Sequence, residues 1–150
     1  MSDGAAGRPI EILLVEDNPG DVRLTKEAFK EGQIDNEMHV ATDGDAALDY
    51  LYQRGEHEEA VRPDLVLLDL NLPKVDGIEV LEQVKGDPDL KQIPVIVLSS
   101  SEDESDVLKS YENYTNAYLT KPVDPDEFVE LVRSLESFWL QFVHLPPRED

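Results

Sequence analysis

The chain has 150 residues, 40% of them hydrophobic, no cysteine, and 34 acidic side chains against 13 basic, giving a formal net charge of −21. That length suits one domain with a proper core, and the apolar runs recur too regularly for global disorder. The composition excludes a disulfide framework, a thiolate metal site and any apolar run of about eighteen residues that could span a membrane, and a negative field without a basic patch excludes direct nucleic-acid binding.

Residues 1–9 read as a loose polar tail without the apolar core of a signal peptide, so the protein is expected in the cytoplasm. Acidity of this degree repels a compact chain unless salt screens it, which predicts a host with a high-salt interior. Residues 10–144 read as the folded domain and 145–150, with two prolines, as a second tail.

The run Ile10–Val15 predicts a first strand, and Glu16, Asp17, Asn18, Pro19 and Gly20 then give a turn and a helix start. A helix is expected to about Glu31, with Val22, Leu24, Ala28 and Phe29 as its buried stripe. Met38–Ala41 predicts a short strand, followed by a helix that buries Ala47, Leu48, Tyr50 and Leu51. Residues 53–63 form an unusually long polar connection. Leu65–Leu68 is too short for a helix and lacks polar alternation, as a strand buried on both faces requires. It ends at Asp69, after which Pro73 and Gly77 turn the chain into a third helix burying Ile78, Leu81 and Val84.

Ile93–Leu98 predicts the fourth strand. Ser101 and Glu104 stand at capping-box spacing before a helix that would bury Val107, Leu108, Tyr111 and Tyr114. Ala117–Leu119 is a last short strand, closed by Thr120, Lys121 and Pro122. From Pro125, the residues Phe128, Leu131, Val132, Leu135, Phe138, Trp139 and Phe142 mark one face of a final helix. Strands thus alternate with helices five times. Crossover helices force a parallel sheet, so the expected fold is a doubly wound (βα)5 three-layer α/β sandwich.

In such a sheet the strand ends all point one way, and functional groups gather there. Strand one ends in Glu16 and Asp17, strand three in Asp69, strand four in Ser99 and strand five in Lys121. Carboxylates about 4 Å apart repel by roughly 4 kcal/mol at an effective dielectric of 20, and nothing in a fold requires that burden. Mg2+ relieves it, because this hard ion takes oxygen ligands, is held by one or two carboxylates and accepts a phosphate oxygen. Lys121 adds a point charge suited to phosphate and Ser99 a hydroxyl, leaving one carboxylate to act as nucleophile in phosphoryl transfer. Taken singly, each has a plainer role: Asp17 or Asn18 as helix cap, Ser99 within a capping run, Lys121 as a solvated strand end. The histidines His39, His57 and His144 are scattered, and none is expected to bind metal.

Four segments in order, Leu14–Asn18, Leu67–Gly77, Val95–Ser100 and Ala117–Pro122, make the chain resemble a response-regulator receiver domain of two-component signalling over about residues 10–142. The resemblance implies a flavodoxin-like sheet of strand order 2-1-3-4-5. It implies that Asp69 is the phosphoacceptor, that Glu16, Asp17, Asp69 and the backbone carbonyl of Asn71 hold Mg2+, and that Lys121, Ser99 and Ser100 bind the phosphoryl group. It implies also a switch pair, Ser99 and Tyr118, a cis peptide before Pro122, and tuning of dephosphorylation by Asn71 and Ser101. The 53–63 connection and the aromatic ending around Phe138, Trp139 and Phe142 resemble stand-alone receivers that partner phytochrome-type histidine kinases.

The expected partners are therefore a histidine kinase, a downstream protein target engaged by the face of the fourth helix, fifth strand and final helix, and a second copy of the chain meeting Trp139 in a homodimer. Two rivals stand beside this reading. An aspartyl-nucleophile phosphatase would want an Asp where Asn71 stands. A receiver-like binding module that is never phosphorylated would have no need of Asp69, Asp17 and Lys121 together. The GxxxxGK[ST] loop of a P-loop enzyme is missing. The protein is accordingly read as no enzyme beyond its own phosphorylation and dephosphorylation.

Overall fold

The computed structural model describes residues 9–31, 35–70, 72, 77–99, 117–120, 122 and 124–142, with the backbone alone at 99, 117, 118, 120 and 136–142. Its elements are β1 (Ile10–Val15), α1 (Pro19–Lys30), β2 (Asn36–Ala41), α2 (Gly44–Tyr52), a 3-10 turn (Gly55–His57), β3 (Leu65–Asp69), α3 (Gly77–Gly86), β4 (Val95–Ser99), β5 (Ala117–Thr120) and α4 (Pro125–Phe142). The strands form one sheet of order β2-β1-β3-β4-β5, all neighbours parallel. The expected doubly wound α/β fold and its 2-1-3-4-5 order are both present. The helix expected over 101–114 lies outside the described residues.

Successive strand residues face opposite sides, and the two cores follow that period of two. Leu13, Val15, Val66, Leu68, Val95 and Val97 pack with Ala47, Leu48 and Leu51 of α2 and with Val80, Leu81 and Val84 of α3. Ile12, Leu14, Leu65, Leu67 and Ile96 pack with Ala28 and Phe29 of α1 and with Phe128, Val132 and Leu135 of α4. Every residue of β3 is buried, which is why its sequence shows no polar alternation. Each Leu or Ile fully removed from water contributes about 1.5–3 kcal/mol, so β3, clothed on both faces, anchors the sheet.

Local chemistry sets the boundaries. Asn18 caps α1 by accepting from the Asp21 N–H at 3.1 Å, with Pro19 next to it, and Asp43 caps α2 by accepting from the Ala46 N–H at 2.7 Å. In α1 the buried residues are Thr25, Ala28 and Phe29, whereas Val22 and Leu24 are only half-buried. Thr25 can occupy an apolar face because its hydroxyl donates to the Asp21 carbonyl at 2.7 Å. In α3, Val80 joins Leu81 and Val84 inside while Ile78 lies at the margin.

β2 begins two residues before the expected Met38, since Ile10 and Glu11 offer pairing partners to Asn36 and Glu37. β4 begins at Val95 rather than Ile93, because Ile93 closes the preceding turn by donating to the Leu90 carbonyl at 2.9 Å and Pro94 has no N–H. Lys85 ties that turn down, its ammonium donating to the carbonyls of Lys91 and Ile93 at 3.1 and 2.9 Å, and partial burial lowers its pKa. No helix among the described residues is long and apolar enough to cross a membrane.

Candidate functional site

Register brings the acids together. Val15 pairs with Leu68, so Glu16, the residue after β1, comes level with Asp69 at the end of β3. Carboxylate oxygens of Glu16, Asp17 and Asp69 all lie within 4.8 Å of one another. Glu16 is 1% exposed and Asp69 4%, while Asp17 is exposed. Asn18 takes the cap of α1, which leaves the Asp17 carboxylate available to the cluster. The Asn18 N–H also donates to Glu16 Oε2 at 3.2 Å, and the Glu16 N–H donates to the Ala41 carbonyl at 2.9 Å, holding the β1 end against β2.

The floor beneath Asp69 is backbone. The Leu70 N–H donates to the Leu98 carbonyl at 3.2 Å, and the Gly77 N–H returns to the Leu70 carbonyl at 3.1 Å. A Cβ on Gly77 would lie 2.6 Å from the Asp69 carbonyl oxygen and 2.6 Å from Leu70 Cα. Only glycine lets α3 start this close to the strand end. Beside the cluster, Asp17 also lines an apolar groove of about 590 Å3 between α1 and β2, with Val22 and Val40 in its wall and Arg23 and Lys26 at its rim.

The remaining expected residues divide by what is described. Ser99 ends β4 one residue beyond Leu98, the partner of Asp69, and Tyr118 of β5 pairs with Val97 of β4, but their side chains lie outside the described residues. Asn71, Ser100, Ser101 and Lys121 lie outside them entirely, as does the Lys121–Pro122 peptide; Pro122 itself is half-buried.

Two buried carboxylates and a third at the rim make a site with only oxygen donors. Oxygen donors in this number suit a hard divalent cation, which leaves further positions to water and a phosphate oxygen. Charge of one sign crowded in a partly dry pocket also favours such an ion over none. The donor set therefore fits Mg2+.

Sequence reading missed a second grouping. The pairing of β1 with β2 brings His39, one of the histidines set aside as scattered, to Glu11 and Glu37, with ligand atoms of all three within 4.8 Å. No local spacing announces it, because the three residues meet only through strand register.

The profile described as response regulator receiver domain matches residues 12–133. The response regulator Rcp1 of Synechocystis is 51% identical over 146 residues, which is 97% of this chain and 99% of that protein. Among solved structures, the Mn2+-bound form of response regulator Rcp1 superposes with a TM-score of 0.85 at 51% identity, covering 92% of this chain and 99% of that one. The phosphorylated cyanobacterial phytochrome response regulator RcpA does so with a TM-score of 0.86 at 47% identity, covering 93% and 99%.

Proposed function

This chain belongs to the response regulator receiver domain family, and on that footing we propose that a histidine kinase phosphorylates it on Asp69 in a reaction that needs Mg2+. The observation that carries this is the convergence of Glu16, Asp17 and Asp69 at the carboxyl end of the sheet, with Asp69 nearly buried.

The Asp69 carboxylate attacks the phosphorus of a phosphohistidine in line. The P–N bond breaks, its electron pair returns to the imidazole of the kinase, and an acyl phosphate remains on Asp69. Glu16, Asp17, Asp69 and the carbonyl of Asn71 would hold the divalent ion, which would neutralise the phosphoryl oxygens. Lys121 pairs with another phosphoryl oxygen, and Ser99 and Ser100 donate to it. The new dianionic group draws the Ser99 hydroxyl while the Tyr118 ring turns inward. Phosphorylation thereby favours one of two arrangements of the surface formed by the expected helix over 101–114, β5 and α4, by as much as it interacts differently with the two. Water later hydrolyses the acyl phosphate past Asn71 and Ser101, and the chain turns over no other substrate. Residues 10–144 form the unit that does this.

Identity of 47% to a phytochrome response regulator supports a phytochrome-type kinase as donor, and the same proposal places the reaction in the cytoplasm with a protein target as output. The sequence of α4, which ends with Phe138, Trp139 and Phe142 in its last turns, supports a homodimer. Sedimentation that finds monomer alone, with and without beryllofluoride, would remove the dimer. The charge of −21 supports a high-salt host, and equal melting midpoints in dilute and molar KCl would count against that.

Acetyl phosphate and Mg2+ should add about 80 Da to the wild type and nothing to Asp69→Asn. Unchanged mass in both would leave a binding module, and steady turnover of small phosphoesters would instead make the chain a phosphatase.

A further inference from the structure

At the amino ends of β1 and β2 the register sets Glu11 opposite Glu37, and His39 follows Glu37 by two residues. Residues two apart on a strand leave by the same face, and a directly opposite residue joins them there. His39 Nε2 stands 2.8 Å from Glu11 Oε1, and a Glu37 carboxylate oxygen completes a set of three ligand atoms within 4.8 Å. We propose that Glu11, Glu37 and His39 form a second divalent-cation site, which takes a transition ion such as Zn2+ in preference to Mg2+.

The donor set selects the ion. Imidazole with carboxylates suits Zn2+ and its first-row neighbours, whereas Mg2+ takes oxygen ligands. Three protein donors leave a position open to water or an outside ligand. The donors sit on paired strands rather than on a loop, and what surrounds them fixes them further. The His39 ring packs against Tyr50 with centroids 5.5 Å apart, and Tyr50 in turn meets His57 at 5.4 Å. The Glu11 N–H donates to Asp64 Oδ2 at 2.8 Å, pinning the backbone that carries the first ligand.

Two carboxylates and one imidazole nitrogen within 4.8 Å of one another are close enough to share a single ion. Because the cluster stands about 16 Å along β1 from Glu16, it would load independently of the phosphoryl site.

Calorimetric Zn2+ titration of the Asp17→Asn/Asp69→Asn variant in millimolar Mg2+ isolates the cluster. The expected result is a single ion per chain, with affinity at least about tenfold weaker when His39→Gln or Glu37→Gln is added. The His39 ring protons should shift on Zn2+ addition while those of His57 and His144 stay. Absence of uptake overturns the site. Equal uptake in both added variants overturns it too, by marking an adventitious ion on an acidic surface. Glu37 is exposed, so Glu37→Gln keeps the fold and decides the matter should His39→Gln not fold.

Discussion

Two carboxylate clusters stand at opposite ends of β1, and they contrast in burial and in donor chemistry. Glu16 and Asp69 are almost wholly out of water, with Asp17 at the rim and oxygen the only donor atom. Glu11 and Glu37 lie on the face of an edge pair, Glu37 exposed, with the half-exposed imidazole of His39 beside them. Charges of equal sign at similar separation are therefore screened more where Glu37 and His39 reach solvent than where Glu16 and Asp69 are buried. Burial sharpens the mutual repulsion of the first cluster's acids, and that is the ground for proposing a metal and a phosphoryl group there. The second cluster can rest without an ion, and only its nitrogen donor gives it a preference among cations.

The largest effect should come from disturbing the backbone under the buried end alone. Gly77→Ala places a methyl 2.6 Å from the Asp69 carbonyl and should cost about 3 kcal/mol, read as a fall in Tm of about 10 °C. Phosphoryl uptake should drop with it while Zn2+ uptake at the other end persists. An unchanged Tm would mean that α3 can retreat and that the close approach is not required.

The exposed end has its own signature in alkali. Tyr50 is raised from 10.0 to about 12, so the folded state keeps a proton that the unfolded chain loses. Its contribution is complete below pH 10 and fades as pH rises to 12, by about 3 kcal/mol in all. Tyr50→Phe should remove that part of the alkaline loss in urea unfolding. Identical alkaline slopes in the two proteins would show that neither burial nor the carboxylates of Glu11 and Glu37 hold the Tyr50 proton.

A smaller difference separates the clusters directly. In EDTA, Asp69→Asn should stabilise the protein by about 1–2 kcal/mol by removing one buried charge from three, whereas Glu37→Gln should change it by less than about 0.5 kcal/mol. Equal shifts would abolish the contrast between the two ends.

Much of this was legible in the sequence, for reasons that particular residues make plain. Leu65–Asp69 declared a buried strand because both faces are covered, and Glu16, Asp17 and Asp69 could be placed at one edge because parallel strands end together. Asn36 and Glu37 were missed as strand, since an edge strand with one neighbour needs no apolar alternation. Thr25 was missed as core, its hydroxyl being satisfied within its own helix. Glu11, Glu37 and His39 were beyond reach, because their meeting depends on which residue of β1 faces which residue of β2.

The decisive measurement is the Mg2+ dependence of phosphoryl incorporation into the whole chain, followed by intact mass at a fixed excess of acetyl phosphate. If the three converging acids hold the ion as proposed, there should be no incorporation in EDTA, saturable incorporation with Mg2+, and a half-saturating Mg2+ concentration raised at least about tenfold in Asp17→Asn. Incorporation that proceeds equally in EDTA, or is indifferent to Asp17→Asn, would contradict the account.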